Sequence, residues 1–135
     1  MPINDIAHSF ADALNGDDYQ RAHALLAGDC IYEARTKVIT GPDAIIKSYR
    51  ANSLFARTLF DRVEYSSEIS ESISDTARIT FVDKLHKGDQ THVYRCQQTV
   101  RIREDGLIDR IKHKEIPDER KQLLEFCAKC KIDLG

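Results

Sequence analysis

The chain has 135 residues, enough to bury one core and too few to divide into two, so a single domain over 1–135 is expected. With 41% hydrophobic and 31% charged residues, its composition is that of a globular protein and not of a disordered or fibrous one. A net charge of −2 gives no general reason to expect nucleic acid, and no apolar run is long enough to span a bilayer, so neither nucleic acid nor membrane is expected as a partner.

From Ile3 to Leu14, Ile6, Phe10, Ala13 and Leu14 recur at helical spacing, which predicts an amphipathic first helix. Asn15-Gly16 ends it, since both residues tolerate left-handed backbone angles. Asp17 or Asp18 then caps a second helix carrying Tyr19, Ala22, Leu25 and Leu26. After Gly28-Asp29, the stretch CIYEA reads as a strand, with KVIT as its hairpin partner. TGPD at 40–43 puts proline at the start of a third helix, whose apolar residues are Ile45, Ile46, Tyr49 and Leu54. From Arg62 the period changes to two, in stretches punctuated at 74–76, 87–90 and 104–106, predicting four strands in an antiparallel meander. Pro117 opens a C-terminal helical extension over 117–135, with Leu123, Phe126, Cys127 and Cys130 on one side.

Helices covering one face of such a sheet demand apolar residues on that face. The alternation supplies Val63, Tyr65, Ile69 and Ile73, then Ala77, Ile79, Phe81 and Leu85, then Tyr94, Cys96, Val100 and Ile102, and finally Leu107 and Ile111. Five polar residues intrude on the same parity: Asp83, Gln98, Asp109, His113 and Glu115. Unpartnered burial would cost a few kcal/mol each, so they need a reason to be there. One is a water-accessible cavity lined by convergent polar groups. The other is strand ends open to solvent, or a bulge near Asp109 that turns some of them outward. Gln98 and His113, in mid-strand, are the stronger candidates.

The stretches ADALNGDDYQRAHALLAGDCIYE at 11–33, GPDAIIKSYRANSL at 41–54 and DGLIDRIKHKEI at 105–116 resemble the nuclear transport factor 2-like superfamily, over about residues 3–116. The resemblance implies an α+β fold, a cone-shaped barrel in which N-terminal helices close the concave face of a curved antiparallel sheet. Asn15-Gly16 would be the sharp joint that closure needs. The local likeness of ALN and ANSL is to ketosteroid isomerases, whose tyrosine donor, aspartate base and protonated aspartate fall at Phe10, Ala34 and Gln98. Only Gln98 can still donate, and the proton carrier is absent, so a steroid isomerase is rejected.

In SnoaL-type cyclases the acid/base residue of the last strand falls at His113, a group that gives or takes a proton near neutrality. Asp83 could orient its ring across the cone. Of Tyr32 and Glu33, alternation lets only one face inward. The resemblance thus implies a catalytic set of His113, Asp83 and Gln98 in a pocket lined by Phe10, Tyr32, Ala34, Tyr49, Phe81, Tyr94, Asp109 and Ile111. Its ligand would be a small hydrophobic, carbonyl-bearing molecule undergoing isomerisation, cyclisation or dehydration. A non-catalytic binding or interaction module of the same fold stays open beside it.

CAKC at 127–130 has the spacing of a metal or redox pair but lacks a second ligand pair, and it extends the apolar side of the last helix. His8 and His23 do not have zinc spacing, and no phosphate loop or nucleotide fingerprint occurs, so neither metal nor cofactor is expected. Four cysteines are too few for a secreted disulfide scaffold, and MPINDIAHSF is not a secretory signal, which makes the cytoplasm the expected compartment. The outward face carries Arg95, Arg101, Arg103, Arg110, Lys112 and Lys114, with Glu64 and Glu68 further along the sheet. Acidic and basic strands meeting across a twofold would be self-complementary, so a homodimer through this face is expected.

Overall fold

A computed structural model of the chain describes residues 2–70 and 72–133. Helix α1 (Ile3–Asn15) buries Ile6, Ala7, Phe10, Ala11 and Ala13, the stripe that the spacing dictates. The left-handed turn after it falls beyond Asn15-Gly16. Gly16 keeps an ordinary φ of −95°, and the left-handed residue is Asp17 at φ 57°. Asp18 then caps α2 (Tyr19–Ala24) by accepting from the Arg21 backbone N–H at 3.2 Å.

The second helix is shorter than its apolar pattern suggests, because Leu26 already belongs to a strand, β1 (Leu26–Ala34). Gly28-Asp29 is not a boundary but an irregularity within that strand, between the pairs Leu26–Ile108 and Ile31–Arg110. The hairpin partner β2 (Lys37–Thr40) follows, and Gly41, at φ 92°, leads into α3 (Pro42–Leu59) with proline in its first turn. Then come β3 (Arg62–Ile69), β4 (Thr76–Lys87), β5 (Gln90–Ile102), β6 (Ile108–Glu115) and α4 (Glu119–Lys129). The sheet order is β2-β1-β6-β5-β4-β3, with the meander β3–β6 antiparallel and β1 lying parallel to β6.

Two apolar clusters hold the layers together. The larger joins α1, α2 and the start of α3 (Ile45, Ile46) to Ile79, Val100, Ile108 and Ile111 on the concave face. The smaller lies under α4, where Phe126 and Cys127 meet Phe60 and Leu85. Two apolar residues read as inward are not. Ile73 lies past the end of β3 and is 77% exposed, and Leu54 points off α3 at 56%.

The meander also slips once. Val100 opposes Ile111 and Arg101 opposes Arg110, but the next pair is Ile102 with Ile108, leaving Asp109 as the extra residue of a bulge. Ile108 is therefore fully buried, contrary to strict alternation. Asp109 turns to the outer face, where it accepts from Arg101 Nε at 2.8 Å.

Candidate functional site

On the concave face, register places Tyr65, Asp83 and Tyr94 in one row, Phe81, Cys96 and Glu115 in the next, and Ile79, Gln98 and His113 in the third. The end of α1 and the middle of α3 stand over these rows. Between them lies a partly open cavity of about 190 Å³, whose walls include Tyr32, Tyr49, Phe81, Asp83, Gln98 and His113. Leu14, Asn15 and Tyr19 close it from one side, and Asn52, Ser53 and Ala56 from above.

The polar groups of the cavity form a chain. Tyr49 Oη donates to Gln98 Oε1 at 2.5 Å, and Gln98 Nε2 lies 3.2 Å from His113 Nδ1. Gln98 is the one polar side chain among the described residues that is fully buried, at 4% exposure, and both ends of its amide are spent. The His113 ring stacks on Tyr32 (centroids 6.4 Å apart), which meets Tyr49 edge-on at 5.8 Å. Burial lowers the pKa of His113 below its usual 6.5, against the pull of Glu115, so the ring is neutral at physiological pH. Burial raises Tyr32 to about 12 and lifts Tyr49 well above the ordinary tyrosine value, so both phenols keep their protons. Cys96, pushed up to about 12 by the same cause, is a thiol and not a nucleophile.

Asp83 differs from its neighbours. Its carboxyl lines the cavity with no hydrogen bond or ion pair among the described residues, and desolvation raises its pKa to about 6. It does not orient His113. The two lie two strands and four register positions apart, roughly 10 Å across the sheet and 13 Å along it, and Gln98 holds the ring instead.

The other expected lining residues separate clearly. Phe10 and Ile111 are wholly buried in the larger cluster, behind the cavity wall. Tyr94 packs in the smaller cluster under α4. Ala34 ends β1 at the hairpin, outside the cavity, and Asp109 is on the outer face. Glu33 also faces out, accepting from Arg110 at 2.6 Å, which leaves Tyr32 as the inward member of that pair. Glu115 is exposed at the strand end. Of the lining residues not anticipated, which also include Leu14, Asn15, Tyr19, Tyr65 and Cys96, Asn52, Ser53 and Ala56 continue the Ile45/Tyr49 side of α3 at steps of three and four. Their helical phase was a sufficient signal; following apolar character to Leu54 missed it.

The outward basic stripe is partly neutralised within the chain. Arg101 pairs with Asp109, Arg110 with Glu33, and Arg103 with Asp105 and Asp29. Among the described residues, no group of three or more His, Cys, Asp or Glu side chains is arranged to hold a metal ion.

No protein-family model matches the chain, and no curated protein matches its sequence. Solved structures do resemble it. An NTF2-like protein of unknown function from Cytophaga hutchinsonii aligns with a TM-score of 0.65 at 11% identity, over 91% of this chain and 96% of that one. A candidate polyketide cyclase from Pseudomonas putida aligns at 0.66 and 16% identity, over 90% and 97%. An epoxide hydrolase from M. tuberculosis, similar to the LEH type, aligns at 0.62 and 19% identity, over 89% and 87%. At such identities the likeness is one of fold: the chain has the NTF2-like α+β fold.

Proposed function

We propose that the cone is a SnoaL-like small-molecule pocket whose chemistry is acid–base, with Asp83 as the proton carrier. The observation that carries this reading is the Asp83 carboxyl itself, unpaired, desolvated and facing the same cavity as a neutral, oriented imidazole. A group with a pKa near 6 is poised to take a proton from carbon and return it, which is the need of isomerisation, cyclisation and dehydration beside a carbonyl. Among the neighbours of the same fold, one is described as a candidate polyketide cyclase and one as an epoxide hydrolase, so small-molecule chemistry is at home in this cone.

Size narrows the ligand. A cavity of about 150 Å³ encloses benzene, so about 190 Å³ encloses a single substituted ring, with any further part of the molecule in the opening. A fused four-ring steroid does not fit inside.

Exchange of the α-protons of acetophenone or 2-cyclohexenone for deuterium, followed by NMR, tests the proton carrier without knowledge of the natural substrate. The protein should accelerate exchange, with a rate that rises through about pH 6 and levels above it as Asp83 ionises. Asp83→Asn should slow it by at least about 100-fold. Exchange that survives in Asp83→Asn removes the assignment, and ketones that bind without exchanging make the protein a binding module.

A further inference from the structure

We infer that Tyr49 and Gln98 are positioning residues that fix the hydrogen-bond polarity of the cavity, so that His113 meets its ligand as a donor through Nε2–H and selects a molecule offering an acceptor there. The inference deepens the pocket reading above and rests on it for the ligand, but not for the state of the ring.

The argument runs from the phenol inwards. Tyr49 keeps its proton, and its O–H has one acceptor among the described residues, Gln98 Oε1. A side-chain amide has one oxygen and one nitrogen, and its orientation is settled by its partners. With the oxygen committed to Tyr49, the nitrogen faces His113 Nδ1, which must then accept. Turning the amide over would set Gln98 Nε2 against the phenol oxygen and leave the Tyr49 proton with no acceptor in a desolvated site, a costly arrangement. An accepting Nδ1 means that the ring proton sits on Nε2. That nitrogen has no partner in the chain among the described residues, and the ring lines the cavity, so Nε2–H is the donor left for a ligand. The same geometry resists a second proton, because Nδ1–H would confront the amide N–H. Tyr32, stacked on the ring, contributes no competing acceptor, and Glu115, the charged group acting on it, is exposed at the strand end.

His113 is thus unsuited to take a proton from substrate while the relay is intact. It suits the opposite task, donating to an acceptor of the bound molecule. Asp83 stands at a separate point of the same cavity, two strands and four register positions from His113, so the two meet different parts of a ligand.

Long-range ¹H–¹⁵N correlation spectra of the free protein test the relay directly. The His113 ring should be the Nε2–H tautomer. Tyr49→Phe, which frees the amide to turn, should give a mixture of tautomers, and Gln98→Glu should move the proton onto Nδ1. Finding Nδ1–H in the unsubstituted protein overturns the inference.

Binding of acetophenone and its isostere α-methylstyrene, titrated by NMR, tests the consequence. The preference for the ketone should fall about fivefold in His113→Phe and about twofold in Tyr49→Phe. An unchanged preference in His113→Phe overturns acceptor selection even if the tautomer is as stated. If neither probe enters the cavity, the pocket reading fails, while the spectra still decide the relay.

Discussion

Two histidines sit on the concave face, one near each end, and they are treated in opposite ways. His113 at the open cavity has its Nδ1 satisfied by Gln98, itself satisfied by Tyr49. His92, at the start of β5, stacks on Phe126 at 5.0 Å, and its Nε2 is buried with no partner. Around His113 the chain has built a polar network on the wall of a cavity. Around His92 it has built an apolar stack, Phe60 on Phe126 on His92, and tolerated the orphaned nitrogen. Buried polar groups are normally paired, so the expense of a network at one end and its omission at the other separate a site from a seal.

Cutting the seal should have the largest effect and should stay local. Phe126 is the middle ring of the stack and 8% exposed, so Phe126→Ala removes both faces of contact and should cost about 3 kcal/mol. Denaturant unfolding gives the magnitude. The Tyr32, Tyr49 and His113 ring signals should keep their positions in the folded protein, because these groups belong to the larger cluster and to the cavity. Broad movement of those signals would mean that the two ends are one packing unit and would undo the comparison.

The next effect belongs to the cavity and depends on pH. Asp83 has its folded pKa raised from 3.8 to about 6, so the native state holds the proton more tightly than the unfolded chain. Its favourable contribution is complete below about pH 4 and disappears as pH rises through about 6, leaving an ionised carboxylate in a desolvated place. Asn has no charge to desolvate. Asp83→Asn should therefore be more stable than the parent by about 2 kcal/mol at pH 8, with the advantage gone by pH 4. His113 works the other way: its pKa is lowered, so its burial costs stability as pH falls below 6.5. Denaturation midpoints across pH 4–8 for both proteins would check the sign, and a less stable Asp83→Asn at pH 8 would mean that the carboxylate has a partner. A gain in stability with a loss of exchange is what a strained functional group produces.

The comparison also explains what was legible in the sequence. Helix α1, the meander and the intruders Asp83, Gln98 and His113 follow from period alone, since side-chain parity is fixed once a strand is located. The failures occur where parity breaks. Asp109 shares the parity of Ile111 and His113, so period alone leaves it inward or turned outward by a bulge near it, and only the pairing of Ile102 with Ile108 decides for the bulge. Leu26 reads as the end of a helical stripe because an apolar residue suits either element, and only the long-range pairing with Ile108 decides. The relay itself was out of reach. Gln98 and His113 oppose each other by strand register, but Tyr49 comes from a helix 49 residues away from Gln98 in sequence, and no spacing rule relates the two. His92 shares the parity of Tyr94 and Gln98, but it sits at a strand start, where exposure is the ordinary expectation.

The smallest effect is the one that isolates the contrast, because the same change of polar to apolar should have opposite signs at the two ends. His92→Phe keeps a ring against Phe126 and removes the nitrogen that lost its water without gaining a partner. Against the slightly larger ring, which costs something in a packed layer, the removal should leave a net gain of about 1 kcal/mol, or a rise in Tm of about 3 °C. Gln98→Leu, similar in size, strands the Tyr49 hydroxyl and the His113 nitrogen together and should cost about 2 kcal/mol. Thermal denaturation of the two variants in one buffer reads both. Destabilisation by His92→Phe would mean that His92 Nε2 is hydrogen-bonded in solution, and the end beneath α4 would then be a second polar site and not a seal. Stability unchanged in Gln98→Leu would mean that water takes over the amide's bonds, in which case the cavity is wet enough for His113 to choose its tautomer freely and the polarity assigned to it would not hold.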